Sequence, residues 1–334
     1  MKAAVFHGPG DLRVEPHAEP TIARADEVIV EVEACGICGT DLQILNVPPG
    51  HPATPGVILG HEFIGRAVAI GPSVRDLRVG QRVVVDPDPK CGTCHACRTG
   101  RPANCTNVVA LGSFADGALA RFAKAPASSV YPIAETLAPP VAALIEPLAC
   151  VVNGTNRAVP RPGESAVVFG AGTIGCLFTA LLVAAGASPV IVVEPSDKRR
   201  RVAAAVGAHH VLSPDDFARR RAELLPLGAE ILIDAVGTQF ATAIDHAALG
   251  ARIVLFGQNA NALPAIKQYT ITERSLSILG SYITTYTFPT AIRLVEQGKL
   301  PLAAIVSRVI GLDDIAEGLA LLRSGDATKV VITP

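Results

Sequence analysis

The sequence predicts an α/β protein made of two units, a β-rich first unit and a second unit built on a doubly wound parallel sheet. In residues 1–150, short β-branched runs alternate with Gly and Pro. These breaks recur at intervals of roughly eight to twelve residues, as they do in barrel-like β domains. From residue 151 onward, apolar strands alternate with helical patterns, which indicates βαβ units and a parallel sheet. A chain of 334 residues also has the length of two ordinary domains.

The first unit contains three clear strand patterns and one segment without a regular pattern. The strand patterns lie at 28–32, 63–70 and 81–85. Residues 86–107 are rich in Pro, Gly and Cys and follow neither the period of a strand nor that of a helix. Such a lobe buries too little apolar surface to order itself, so we expect another interaction to hold it.

In the second unit, the near-continuous apolar strands indicate a sheet that is covered on both faces. The predicted strands lie at 165–169, 190–193, 210–212, 230–233, 252–256 and 275–279, and the predicted helices at 173–185, 198–206, 215–225 and 238–249. A helix at 289–297, a strand at 305–310 and a helix at 312–324 follow. We therefore divide the chain into 1–150, 151–285 and 286–334.

A glycine-rich loop, Gly170-Ala171-Gly172-Thr173-Ile174-Gly175, has the G-x-G-x-x-G spacing of a dinucleotide-binding turn. It follows an apolar strand and opens a helix, as that fingerprint requires. Gly170 allows the tight turn, Gly172 lets the backbone approach the pyrophosphate, and Gly175 lets helix and strand pack closely. The N–H groups at the start of the helix, around Thr173 and Ile174, face the phosphates. A purely structural turn is the alternative interpretation.

Four further residues complete the predicted dinucleotide site. Glu194 ends the second strand, nineteen residues beyond Gly175, where an acid binds the ribose hydroxyls. A carboxylate there repels a 2′-phosphate, which favours NAD over NADP. Arg199 is either part of a solvated helix face or a phosphate ligand. Val236 and Phe256 lie where two later strands end, the sheet edge at which ligands bind.

Four cysteines in the lobe predict a closed metal site. Cys91, Cys94, Cys97 and Cys105 can surround Zn²⁺ as a tetrahedron that leaves no position for substrate, which indicates a structural role. The metal would supply the folding energy that the lobe lacks. An iron–sulfur cluster is the alternative, but the C-x3-C-P tail of such clusters is missing. A disulfide framework is disfavoured in a chain of this length without an export signal.

A second set of metal-binding residue types is scattered along the chain: Cys38, His61, Glu62 and Glu146. A catalytic Zn²⁺ takes three protein ligands and keeps one position open. Spacing alone does not link these residues, because single Cys, His and Glu residues are common elsewhere in proteins.

Four motifs together resemble the zinc-containing medium-chain alcohol dehydrogenase family over essentially the whole chain. They are the Cys-Gly-Ile-Cys-Gly-Thr-Asp run that ends at Asp41, the Gly-His-Glu run around His61, the four-cysteine lobe and the glycine-rich loop, in the family's order. The resemblance implies a GroES-like catalytic domain with a structural zinc lobe at 86–107, a Rossmann domain, and a C-terminal segment that rejoins the catalytic domain.

The resemblance also implies the ligands of a catalytic zinc. Cys38 and His61 would be firm ligands, and Glu62 would enter or leave the coordination. Glu146 stands, within a Glu-Pro-Leu run, where the familiar alcohol dehydrogenases have a cysteine. This run is similar to the polyol, threonine and sugar dehydrogenase branch, in which a carboxylate binds zinc directly or through water.

The same resemblance implies how protons and hydride move. Thr40 would take the proton of the substrate hydroxyl, whose pKa the zinc lowers, and hydride would pass to the nicotinamide. Asp41 would hold the second ring nitrogen of His61. Many family members end this relay with a histidine where this chain has Gln43, which cannot titrate. His51 is an alternative terminus for the proton, or simply a loop histidine.

Composition limits the partners of the protein. The 29 basic and 30 acidic residues nearly cancel, which excludes the charge excess typical of nucleic-acid and anionic-membrane binding. The first residues are broken by Gly, Pro and charges, unlike a signal peptide, so we expect a soluble cytoplasmic protein. It would bind two zinc ions per chain, act on a small hydroxyl compound, and form a homodimer or homotetramer as family members do. A non-enzymatic dinucleotide-binding protein of the same fold is the second hypothesis.

Overall fold

Residues 1–334 are all described in a computed structural model of the chain. The strands are β1 (Lys2–Gly8), β2 (Asp11–Pro16), β3 (Glu27–Gly36), β4 (Glu62–Ile70), β5 (Arg82–Val85), β6 (Phe122–Pro126), β7 (Val130–Pro132), β8 (Ala166–Phe169), β9 (Val190–Val193), β10 (His210–Leu212), β11 (Ala229–Asp234), β12 (Ala247–Leu255), β13 (Ser277–Gly280), β14 (Val306–Gly311) and β15 (Lys329–Thr333). The α-helices are α1 (Gly39–Ile44), α2 (His95–Arg98), α3 (Pro139–Ala142), α4 (Ile145–Ala158), α5 (Thr173–Ala184), α6 (Asp197–Ala205), α7 (Pro214–Leu224), α8 (Phe240–His246), α9 (Gln268–Glu273), α10 (Phe288–Glu296) and α11 (Ile315–Ser324). None of these helices combines the length and the apolar character needed to cross a membrane.

The first unit is organised around a seven-stranded sheet in which β3 is the central strand. The order is β14-β15-β3-β4-β5-β7, and β6 also pairs with β3. One edge of β3 pairs antiparallel with β4, and the other pairs with β6 and, at the far end, with β15. Gly36, the last residue of β3, lies opposite both Glu62 and Val331. The end of β3 therefore gathers three distant parts of the chain at one corner.

The second unit is a six-stranded parallel sheet with the order β10-β9-β8-β11-β12-β13. From the centre of the sheet, β8, β9 and β10 follow one another toward one edge, and β11, β12 and β13 follow one another toward the other edge. This is the doubly wound order in which ligands bind where the direction reverses. Strands β8 and β9 are buried at every residue, as a sheet covered on both faces requires. The predicted α/β fold class is confirmed.

One predicted helix, at 238–249, is wrong at its C-terminal end. The helix α8 stops at His246, and β12 begins with the next residue. Ala247 pairs in parallel with Ala229 of β11, so the last three residues of the predicted helix belong to the sheet. Their apolar character fits either structure, and pairing with a buried strand decides the outcome.

The two units share helix α4 and the C-terminal segment. A boundary at residue 150 would cut α4, which runs without interruption through that position. Helix α10 packs against α4. At its start, the ring of Phe288 stacks on Tyr131 of the first unit with 5.2 Å between the ring centroids. The segment 286–334 also contributes β14 and β15 to the first sheet.

Candidate active site

A cavity of about 430 Å³ lies between the two units and brings both sets of predicted residues together. From the first unit and α4, its wall includes Cys38, Thr40, His61, Glu62 and Glu146. From the second unit, it includes Ile174, Val236 and Phe256. The residues predicted for hydroxyl chemistry and for the dinucleotide therefore face one space, although Cys38, His61 and Glu62 are more than 100 residues from Ile174 along the chain.

Cys38, His61 and Glu62 form a compact cluster at one corner of this cavity. Cys38 lies at the start of α1, while His61 and Glu62 lie where β4 begins. One possible ligand atom from each lies within 4.8 Å of those of the other two. Thiolate sulfur, imidazole nitrogen and carboxylate oxygen are the three donor types that Zn²⁺ takes in proteins.

The surroundings of the cluster also fit a cation. Burial is the main reason why the pKa of the Cys38 thiol is raised to about 11, so its thiolate needs a positive partner. The predicted hydrogen bond between Asp41 and His61 is not formed, because Asp41 Oδ1 lies 3.8 Å from His61 Nδ1. Both atoms are buried without a hydrogen-bond partner. The other Asp41 oxygen, Oδ2, accepts the backbone N–H of Cys38 at 2.8 Å.

Glu62 has a buried partner that the sequence did not reveal. Lys329, at the start of β15, forms an ion pair with the Glu62 carboxylate, and both side chains are almost completely buried. The Lys329 ammonium also donates to the carbonyl of Ile37 at 3.0 Å. A Cβ on Gly36 would lie 2.8 Å from Lys329 Nζ, so a glycine at this position leaves room for the pair.

Glu146 lies in the same cavity but outside the compact ligand cluster. Burial raises its pKa to about 7, although the charge of His61 works in the opposite direction. The thiol of Cys150, one turn later on α4, donates to Glu146 Oε1 at 3.6 Å. Of the four predicted ligands of the catalytic metal, the structure therefore brings three into one cluster and leaves the fourth nearby.

The four lobe cysteines also form a cluster whose sulfur atoms lie within 4.8 Å of one another. Cys105 Sγ is 3.5 Å from Cys91 Sγ and 3.9 Å from Cys94 Sγ, so these are thiols and not disulfides. The hydroxyl and N–H of Thr93 and the N–H of Cys94 donate to Cys91, which lowers its pKa to about 5. Hydrogen bonds of this kind stabilise the thiolates that a structural Zn²⁺ needs.

The glycine-rich loop has the local geometry that its sequence predicts. Gly170 has φ +94°, a left-handed conformation that favours glycine. A Cβ on Gly175 would clash with the Gly170 carbonyl, whose carbon is 2.8 Å away, so α5 and β8 approach each other closely. At Gly172, nothing lies within 4 Å of the position that a Cβ would take. The backbone is therefore open at the residue predicted to approach the pyrophosphate.

Glu194 lies next to this loop, and both oxygens of its carboxylate already accept hydrogen bonds from backbone N–H groups. The N–H of Ala171 donates to one Glu194 oxygen at 2.7 Å, and the N–H of Ser196 donates to the other at 2.9 Å. The side chain is buried. In this structure Glu194 holds the glycine-rich loop in place, and ribose binding at this carboxylate stays a prediction.

Two other residues of the predicted dinucleotide site contact the C-terminal segment. The Arg199 guanidinium donates to the carbonyls of Leu322 and Ala327 at 3.1 and 3.3 Å. Thr173 Oγ1 donates to the carbonyl of Thr328 at 2.8 Å. Arg199 is half-buried on its helix, and its guanidinium binds one carbonyl in the last turn of α11 and one just beyond that helix. Phosphate binding by Arg199 stays a prediction.

Asn153 is a buried polar residue that sequence reasoning missed. Its side-chain N–H groups donate to the carbonyls of Tyr282 and Ile283 at 3.2 and 2.8 Å, and its oxygen accepts the Thr285 hydroxyl at 2.7 Å. Ile283 has φ +38°, which a β-branched residue rarely adopts. Because Tyr282 and Ile283 line the cavity, Asn153 holds a strained loop against the site.

We expect Asn153→Ala to lower the free energy of unfolding by about 1–3 kcal/mol, because three hydrogen bonds made by a buried side chain are lost. The released loop should also raise the KM for the dinucleotide. Chemical denaturation and steady-state kinetics measure the two effects. Asn156→Ala is the matched control, since Asn156 is exposed on the same helix. Equal stability and equal KM in the two variants would contradict this role.

Comparison with known proteins agrees with the observed fold. Residues 24–135 match the family described as alcohol dehydrogenase GroES-like domain, and residues 173–297 match the family described as zinc-binding dehydrogenase. L-threonine 3-dehydrogenase of Pyrococcus abyssi is 35% identical over 323 residues, which cover 91% of this chain and 90% of that protein. D-arabinitol dehydrogenase 1 of Uromyces fabae is 30% identical over 343 residues, which cover 100% and 97%.

A solved structure extends the likeness to three dimensions. A zinc-binding dehydrogenase from Sinorhizobium meliloti 1021, bound to NADP, superimposes with a TM-score of 0.94 at 32% identity, over 100% of this chain and 99% of that one. The predicted pairing of a GroES-like domain with a Rossmann-type domain is thereby confirmed. The chain belongs to the zinc-containing medium-chain alcohol dehydrogenase family, whose members here include threonine and polyol dehydrogenases.

Proposed function

We propose that this NAD(P)-dependent dehydrogenase oxidises a secondary alcohol, polyol or sugar-like compound, or runs that reaction in reverse, at the corner formed by Cys38, His61 and Glu62. The observation that carries the proposal is the convergence of this cluster with Ile174, Val236 and the other dinucleotide-side residues on one cavity wall. The family resemblance alone would not establish the chemistry, because fold and function are separable.

The proposed catalytic zinc would be held by Cys38, His61 and Glu62, with Glu146 as an additional or water-mediated partner. When bound, it supplies Lewis-acid polarisation of the substrate hydroxyl. Thr40, which lines the cavity beside this cluster, accepts the hydroxyl proton. Asp41 orients His61 once the 3.8 Å separation between them closes.

Beyond Thr40, the proton needs an exit other than Gln43. The Gln43 amide donates to the Gln258 carbonyl at 2.8 Å and so joins the first unit to the loop after β12. His51 also lines the cavity, and its Nδ1 lies 2.8 Å from the Pro52 carbonyl. A carbonyl only accepts, so Nδ1 carries the hydrogen and the other ring nitrogen can take a proton. These contacts support His51 as the proton exit.

For the dinucleotide, we propose NAD over NADP, with the ribose hydroxyls at Glu194. A buried carboxylate next to the glycine-rich loop disfavours a 2′-phosphate. Gly170, Gly172, Thr173, Ile174 and Gly175 would form the loop that holds the pyrophosphate, Arg199 would lie on the adenosine side, and Val236 and Phe256 would lie on the nicotinamide side. The second zinc would be bound by the four lobe cysteines in a purely structural role.

We further propose a cytoplasmic homodimer or homotetramer that acts without nucleic acid or membrane partners. Eight free cysteines, four of them clustered as thiols, fit a reducing compartment. Strand β13 is an edge of the six-stranded sheet and offers unpaired backbone groups to a second copy.

The test is zinc analysis of the purified protein together with reduction of NAD and NADP on a panel of polyols, sugars, amino alcohols and simple alcohols. We expect two zinc ions per chain and turnover with NAD at a higher kcat/KM than with NADP. One zinc ion and no turnover on any compound would instead favour the non-enzymatic dinucleotide-binding protein.

A further inference from the structure

The wall of the cavity carries an uneven distribution of charge. Its lining includes three carboxylates, Glu62, Asp88 and Glu146, but no lysine and no arginine. Glu62 belongs to the ligand cluster and pairs with Lys329, and Glu146 is the nearby fourth ligand of the proposed metal site. Asp88 is therefore the one carboxylate on the wall that the proposed reaction leaves without a role.

Asp88 is held in place through its backbone, while its side chain stays free. Its N–H donates to Asp86 Oδ1 at 3.0 Å. The neighbouring Lys90 ammonium donates to the Asp88 main-chain carbonyl and lies 3.7 Å from the Asp86 carboxylate. The half-buried Asp88 carboxylate itself has neither a salt bridge nor a hydrogen bond within the protein. Its charge is thus fixed at the cavity wall and available to a ligand.

The negative charge of Asp88 raises the pKa of two neighbouring side chains on the cavity wall. After burial, which is the larger cause, it contributes to raising the pKa of Tyr282. It acts in the same direction on the pKa of Glu146, again behind burial. Both residues line the cavity, so a ligand in that space experiences the same negative field.

We propose that Asp88 makes this cavity select uncharged polyols over their phosphorylated or carboxylated counterparts. An ionised carboxylate accepts hydrogen bonds from hydroxyl groups, which a polyol offers in abundance. Proteins bind phosphate and carboxylate groups with arginine and lysine, and this wall has none to offset the repulsion. The inference rests on the proposed function, because it places the reacting hydroxyl at the Cys38–His61–Glu62 corner.

The test compares xylitol, xylitol 5-phosphate and xylonate as substrates of the zinc-loaded protein with its preferred dinucleotide. We expect kcat/KM for xylitol to exceed that for either anion by at least about tenfold, and Asp88→Asn to reduce this ratio by about tenfold. An anion used as well as xylitol, or an unchanged ratio in Asp88→Asn, would overturn the proposal.

A binding measurement distinguishes a failure of this proposal from a failure of the proposed function. If none of the compounds is oxidised, the proposed function fails, and saturation-transfer NMR on the zinc- and NAD-loaded protein ranks their binding. Tighter binding of xylitol than of its phosphate would still support the role of Asp88, and the reverse order would overturn it. Asp76→Asn is the matched control, since Asp76 is exposed and lies outside the cavity wall. Thermal unfolding of Asp88→Asn should be unchanged, because its side chain has no partner to lose.

Discussion

Replacing Cys38 with serine is expected to lower kcat at least about a thousandfold while leaving the fold intact. The polarisation that a catalytic metal supplies is worth several kcal/mol, and each 1.36 kcal/mol is about a factor of ten in rate. Serine is a favourable residue at the start of a helix, so α1 should not be weakened. The Asp41 carboxylate keeps its bond to the backbone N–H of residue 38.

Kinetics, zinc content and circular dichroism of Cys38→Ser check this expectation. The variant should bind one zinc ion per chain in place of two and keep a native spectrum. Cys176→Ala is the control, because this thiol is buried in α5 outside the cavity, and it should retain both zinc ions and most of the activity. Loss of the fold in Cys38→Ser would show that the role of Cys38 was misassigned.

Replacing Lys329 with methionine should lower the free energy of unfolding by about 3–5 kcal/mol, because it leaves the Glu62 carboxylate buried without its cation. The cost comes from the unpaired charge. For that reason a double variant, Lys329→Met with Glu62→Gln, should recover much of the lost stability. Denaturant titration of the wild type and the two variants measures the effect, after the catalytic zinc has been removed so that it does not neutralise Glu62 in place of Lys329.

Lys2→Met is the matched control for this result. Lys2 pairs with Asp313, but both side chains are 65% exposed, and such surface pairs contribute at most about 1 kcal/mol. If Lys329→Met is no less stable than Lys2→Met, the ion pair between Lys329 and Glu62 is not the buried interaction that the structure describes.

The fold, the glycine-rich loop and the four-cysteine lobe could be predicted from the sequence, because the residues that determine them lie close together along the chain. The strand before Gly170, the helix after Gly175 and the spacing of the lobe cysteines are each contained within about twenty residues. Cys38 and His61 were found only through the resemblance. Their convergence depends on the pairing of β3 with β4, which spacing does not encode.

The residues that sequence reasoning missed act across long separations. Lys329 reaches Glu62 because β15 pairs with the end of β3, and Asn153 reaches the loop at 282–285 across the junction of the two units. A lysine ahead of an apolar strand and an asparagine in an apolar helix were the available signals, since buried polar groups in such places need partners. Neither signal identifies the partner.

The position of β15 in the first sheet has a consequence for biosynthesis. This strand lies between β14 and β3, yet it is translated almost 300 residues after β3. While the ribosome is still adding the second unit, the amino-terminal sheet lacks that neighbour, and Glu62 lacks its lysine. The cluster of Cys38, His61 and Glu62 therefore reaches its final structure only after β15 has been synthesised. A nascent chain stalled before Lys329 should bind zinc at the four lobe cysteines well before it binds the catalytic zinc.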